Sequence, residues 1–162
     1  MSEVQKVPAD MSTITPHLVC RGAADAIEFY KRAFGATELV RMPVPEGGGK
    51  LMHAMIRIGN SNVMLVDEFP DWNSIGPQDL PNSPVTLHYY VEDVDAAFAR
   101  AIDAGAKSVM EPQDMFWGDR YGVLRDPFGH NWSLATHIRE VSPEEALEAS
   151  KTAMACPEGG PQ

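Results

Sequence analysis

The chain has 162 residues, 44% of them hydrophobic and 22% charged, with a formal net charge of −10. That length suits one domain, or two small modules with a common core, and an acidic balance with scattered basic residues argues against nucleic acid, whose phosphates reward clustered Lys and Arg. No apolar run reaches the ~18 residues of a membrane span, and the start lacks the basic and apolar regions of a signal peptide, so a cytoplasmic protein with no membrane partner is expected.

Residues 1–11 read as a loose leader. Residues 14–20 alternate as a strand, with Leu18 and Cys20 on one face and Thr15, His17 and Val19 on the other. A helix is expected over 23–34. Ala23, Ala26, Ile27, Tyr30 and Phe34 recur at helical spacing, and Gly35 ends the helix. Further strands are expected near 38–42, over 51–58 and over 62–66, with a Pro- and Gly-rich hairpin at 43–49. Ala54, Ile56 and Ile58 should meet the helix, while His53, Met55 and Arg57 face away. Residues 67–84 form a connector, either a functional flap or a plain spacer.

A second unit opens at 85–91. Leu87, Tyr89 and Val91 share one face; Thr86, His88 and Tyr90 share the other. Asp93 is a helix N-cap, Val94, Ala97, Phe98 and Ala101 form the buried stripe, and Gly105 closes the helix. Strands follow near 108–111, 121–125 and 131–136, with a turn at 126–129. Ser142, Pro143 and Glu145 make a capping box for a last helix over 142–154. Residues 155–162 form a tail.

The two units echo each other. His17 and His88 are 71 positions apart, and Gly35 and Gly105 are 70 apart. The chain therefore reads as two βαβββ modules, 11–66 and 85–137, with a small-molecule cavity expected between paired sheets.

The block 116–121 is the densest chemical group. Trp117 and Tyr121 can stack on a flat or cationic ligand. Arg120 can hold a carboxylate or phosphate in bidentate fashion, or clamp Asp119 or Asp126 and fix the loop. His17, His53 and His88 point toward the predicted cavity, with Tyr90 beside His88. Three histidines can build a site like a His₃ zinc centre; strand histidines otherwise serve as hydrogen-bonded pocket or core residues. Trp132 should pack in the core, and His130 and His137 should be exposed. Cys20 reads as a buried free thiol. It and Cys156 form no zinc or dithiol motif. Gly47, Gly48 and Gly49 lack the strand and helix that a phosphate cradle needs.

Six segments carry a family resemblance: 15–20 (Thr-Pro-His-Leu-Val-Cys), 26–36, 53–59, 90–95, 116–122 (Phe-Trp-Gly-Asp-Arg-Tyr-Gly) and 126–132 (Asp-Pro-Phe-Gly-His-Asn-Trp). Together they resemble the vicinal oxygen chelate superfamily of glyoxalase I, extradiol dioxygenases and bleomycin resistance proteins, and most closely its PhnB-like branch. The resemblance implies an α+β fold: two βαβββ modules in a cupped, open-barrel sheet, plus a C-terminal helix. It also implies a homodimer, with that helix over the partner. Metal ligands in the superfamily are His, Gln or Glu from the first and last strands of each module. Carried over, those places fall on Thr15, Thr86, Ser133 and near Val63, none a normal ligand for zinc, iron or manganese.

Two readings follow. One is a small-molecule-binding protein of the glyoxalase/bleomycin resistance type without the usual metal site. His17, His53, His88 and Tyr90 would line its cavity, with Trp117, Arg120 and Tyr121 at the mouth. The other is a lyase, isomerase or dioxygenase that holds a divalent ion (Zn, Fe, Mn or Ni) on some of His17, His53 and His88.

Overall fold

The computed structural model describes residues 5–153. The tail at 155–162 and Cys156 lie outside the described residues. The order is β1 (His17–Cys20), α1 (Ala23–Phe34), β2 (Thr37–Pro43), β3 (Leu51–Ile58), β4 (Ser61–Asp67), β5 (Thr86–Tyr90), α2 (Val94–Ala104), β6 (Lys107–Asp114), β7 (Asp119–Arg125), β8 (Asn131–His137) and α3 (Pro143–Ala153). This is an α+β fold of two open four-stranded sheets, hydrogen-bonded in the orders β1-β4-β3-β2 and β5-β8-β7-β6. In each sheet the first strand runs parallel to the last, and the other pairs are antiparallel.

Two strands differ in length from expectation. β1 begins only at His17 because Pro16 has no N–H to pair and restricts Thr15 before it. β6 runs on through Pro112 to Asp114 because it is an edge strand, where a missing donor is tolerated. Its register slips between Met110 and Gln113.

Each helix covers one face of its own sheet, and its start is held by the end of the last strand. Asp67 Oδ1 accepts the Gly22 and Ala23 N–H groups, both at 3.0 Å, and Asp67 Oδ2 accepts from Leu51 N. In module two Thr136 Oγ1 takes the same role, accepting the Val94 N–H at 2.8 Å, while Asp93 caps Ala96 N at 3.0 Å. Both devices satisfy donors that a helix start leaves without partners.

The helices then pack on each other, so the modules share one core. Phe34 lies against Trp132 with ring centroids 4.7 Å apart and against Tyr89 at 5.6 Å. Tyr30 is fully buried, and its hydroxyl crosses between modules to Asp126 Oδ2 at 2.6 Å. Trp132 Nε1 donates to the same oxygen at 2.9 Å, while Oδ1 accepts from Phe128 N and His130 N. Four donors thus satisfy one buried carboxylate, which removes the cost of an unpaired buried charge. His130 departs from the expected exposure. It is half-buried, and its Nε2 bonds the Val19 carbonyl on the free edge of β1 at 3.0 Å.

The connector is tied down along its length. Arg21 pairs with Glu68 and Asp79, and Glu68 Oε1 accepts from Gly76 N at 2.9 Å. Arg125 donates to the carbonyls of Pro77, Leu80 and Pro81. Gly129, at φ +91°, lets the connector pass closely: an added Cβ would sit 2.7 Å from Gln78 backbone atoms.

Tyr30→Phe leaves Asp126 short of one charge-assisted bond at the joint between modules. We expect a loss of about 1.5–3 kcal/mol in urea unfolding, with the transition still single. A loss within error of zero would show that the joint does not rest on this bond.

Candidate functional site

With one face of each sheet given to helices, alternation sends every second side chain to an open face. On β5 these are Thr86, His88 and Tyr90. The strand registers set Ser133 beside His88, Ala135 beside Tyr90, and Tyr121 beside Ala135. His88 Nδ1 and Ser133 Oγ share a hydrogen bond of 2.7 Å. The His88 ring stacks on Tyr121 at 6.0 Å and meets Tyr90 edge-on at 4.6 Å. Trp117 reaches this group from the turn between β6 and β7, 5.5 Å from Tyr121 in a T-shaped contact. Gly118 makes that turn possible. Its φ is +102°, and an added Cβ would collide with the Arg139 carbonyl.

Beneath the rings lies Asp119, only 4% exposed. Its Oδ2 accepts from the Tyr90 hydroxyl at 2.9 Å and from Trp117 Nε1 at 3.1 Å; its Oδ1 faces His137 Nδ1 at 2.9 Å. Burial alone would raise the Asp119 carboxyl. The donors His137, Tyr90 and Trp117 outweigh it and hold Asp119 below the ordinary carboxylate range. In turn the bond to Asp119 raises both Tyr90 and His137, and Glu140 adds to the effect on His137. Three side chains that come from β5, the β6–β7 turn and the end of β8 are therefore fixed by one carboxylate.

Of the residues singled out by sequence, His88, Tyr90, Trp117 and Tyr121 come together here. Arg120 does not. It follows Asp119 on β7, so it points to the helix side, where it grips Asp95 at 2.6 and 2.8 Å and Asp114 at 2.9 Å. Its expected role in the cavity mouth, and its expected clamp on Asp119 or Asp126, both give way to a tie between β7 and the first turn of α2. His17 and His53 belong to the open face of module one, with rings 6.2 Å apart, and His17 is lowered by burial and by the charge of His53.

The places where the superfamily carries metal ligands can now be checked by register. His17 pairs with Met64 just as His88 pairs with Ser133, so Met64 is the counterpart of Ser133. Val63, expected there, packs in the core instead. Hydroxyls and a thioether at these places do not fit a divalent zinc, iron or manganese ion. Among the described residues no group of three or more His, Cys, Asp or Glu side chains is placed to hold a metal.

A hollow of about 470 Å³ opens where the modules meet. His88 and Tyr90 line it from β5, Ile58 and Asn62 from module one, and Ile14 and Pro16 from the segment before β1. Among the described residues no Asp, Glu, Lys or Arg side chain lines it.

Two residues central to this site escaped the sequence reading. Asp119 was legible only as a clamp for Arg120, and His137 only as an exposed strand end. The signal that finds them is alternation from Tyr121: Asp119 lies two residues before it on β7, and β7 pairs Asp119 with His137.

The Asp119–His137 bond fixes a pH dependence. His137 is raised in the fold, so its contribution is complete below the ordinary imidazole value of about 6.5 and fades as pH rises through the folded value. Asp119 is lowered, so its contribution fades as pH falls below the ordinary carboxylate range of about 4. The native chain should lose thermal stability as pH rises above the ordinary imidazole value of about 6.5, and His137→Gln should flatten that decline. Parallel profiles for the two proteins would contradict the assignment.

Comparison with known proteins agrees with this geometry. The family model described as the Glyoxalase/Bleomycin resistance protein/Dioxygenase superfamily matches residues 13–134. The Mycobacterium tuberculosis (strain ATCC 25618 / H37Rv) protein Rv0887c is 51% identical over 139 residues, covering 84% of this chain and 81% of that protein. Among solved structures, TioX from Micromonospora sp. ML1 superposes with a TM-score of 0.60 at 28% identity, over 78% of this chain and 99% of that one. A Bacillus cereus PhnB protein, described as a putative 3-demethylubiquinone-9 3-methyltransferase, superposes with a TM-score of 0.62 at 20% identity, over 77% and 99%; at that identity it speaks for the fold alone. The chain belongs to the glyoxalase/bleomycin resistance protein/dioxygenase superfamily, with PhnB-like proteins among its structural neighbours.

Proposed function

We propose that the protein binds an uncharged, partly aromatic small molecule against the open face of module two. The observation that carries this reading is the Asp119 scaffold. It holds Tyr90 and Trp117 in place beside Tyr121 and His88, so stacking surfaces are set before any ligand arrives. The adjoining hollow supports the charge assignment, because among the described residues no Asp, Glu, Lys or Arg side chain lines it to repay the desolvation of an ion. Hydroxyls and amides there, from Ser12, Ser61 and Asn62, suit a few oriented hydrogen bonds. The side chains at Thr15, Thr86, Ser133 and Met64 support a binding role over the divalent-metal chemistry of many superfamily members.

The same reading includes a second copy of the chain as the cover of the open faces, in a cytoplasmic homodimer. Tyr90 is 58% exposed in the single chain, and Met42, Val109 and Ile138 are also exposed. Among the described residues no side chain of the helix α3 is fully buried. A helix with no packed face gains little stability from its sequence alone, so a partner surface for α3 is the simplest source of it.

A library of uncharged aromatic compounds, screened by thermal shift and followed by calorimetry, tests the proposal. We expect a compound bound at one per chain and recovered unchanged by mass spectrometry, in a protein that sediments as a dimer. Tyr121→Ala should weaken that binding tenfold or more, about 1.4 kcal/mol. Steady conversion of the compound, or equal affinity in Tyr121→Ala, would refute it.

A further inference from the structure

Module one repeats the frame of module two but presents different chemistry on its open face. His17 on β1 pairs in register with Met64 on β4, and Met64 pairs with Met55 on β3. His53 lies two residues before Met55, on the same face, and pairs with Met42 on β2. Three thioethers and two imidazoles are thus brought to neighbouring positions on one face of one sheet.

The two rings meet over this row. Their centroids are 6.2 Å apart and their planes stand at 82°. The other three histidines are held by hydrogen bonds, to Ser133, the Val19 carbonyl and Asp119. Among the described residues neither His17 nor His53 engages in a side-chain hydrogen bond. Two imidazoles that bind one ion from opposite sides through nitrogen–metal bonds of about 2 Å have centroids roughly 6 Å apart. Among the described residues no carboxylate, thiol or third imidazole completes a metal-binding group with them. The strand registers set three sulfur donors, Met42, Met55 and Met64, on the same face as the two imidazoles. Thioethers are poor partners for zinc, iron(II) and manganese but good ones for copper(I), which also accepts imidazole and low coordination numbers.

We propose that the open face of module one is a soft-metal site, in which His17 and His53 hold one copper(I) ion and Met64 supplies a thioether. His88, grouped with these two histidines in the sequence reading, takes no part: it stands on the other sheet, bound to Ser133. The site is separate from the aromatic face of module two, so its success or failure is independent of the ligand proposed there.

The test is an anaerobic titration of the metal-free full chain with copper(I) against bathocuproine disulfonate, whose colour reports the metal it captures. We expect one copper(I) per chain retained in competition, and sulfur together with nitrogen in the copper shell by X-ray absorption. His17→Ala and His53→Ala should each lower the affinity tenfold or more. Met64→Leu should remove the sulfur signal and lower affinity several-fold, while Met52→Leu, a neighbouring methionine on the opposite face of β3, should change neither. Circular dichroism of each variant confirms the fold; should one histidine variant fail to fold, the other and Met64→Leu carry the test. Complete loss of copper to the chelator, affinity unchanged in the histidine variants, or a shell without sulfur would each overturn the assignment.

Discussion

Asp126 is the residue on which the arrangement turns. It opens the turn between β7 and β8, yet its carboxylate accepts the hydroxyl of Tyr30 from the helix of the other module. The indole of Trp132 and two backbone N–H groups complete its shell. An isolated carboxylate in such a core would cost several kcal/mol; with four donors it becomes a fixed joint. Because α1 is tied there to the turn between β7 and β8, and α1 packs on α2, the two sheets share a core on their helix sides and leave their other faces free. Both proposed sites occupy those free faces.

Duplication of the frame explains why the two faces differ. Stability constrains the positions that touch the helices, where Ile56, Val63 and Leu65 answer to Leu124, Trp132 and Leu134. The alternate positions carry no such demand, so each module has diverged there. Module two has gathered rings around a buried Asp119. Module one has gathered imidazoles and thioethers. Even the shared helix-capping task is done by different chemistry, a carboxylate at Asp67 and a hydroxyl at Thr136.

The parts legible in the sequence were those governed by local rules. Helical spacing and a closing glycine gave α1 as Ala23–Phe34, and alternation gave β3 as Leu51–Ile58 with His53 and Met55 on the open side. Alternation also placed His88 and Tyr90 correctly. What stayed hidden depends on which strands are neighbours. His130 was expected to be exposed because nothing nearby in sequence shows that the free edge of β1 lies within its reach. Arg120 looked like a ligand clamp because its true partner, Asp95, sits 25 residues away on a helix. The counterpart of Ser133, expected near Val63, is fixed as Met64 only by register, and in a strand one residue exchanges the core for the open face.

The most direct measurement is the affinity of Asp119→Ala for a compound that binds the native chain. This carboxylate is not among the residues that line the hollow; it holds Tyr90, Trp117 and His137 in place. The account predicts at least a tenfold loss of affinity with cooperative unfolding retained, because the stacking surface would lose its support while the Asp126 joint stayed intact. Native affinity in Asp119→Ala would mean that the ligand is held elsewhere, and that the aromatic face of module two is not the binding site.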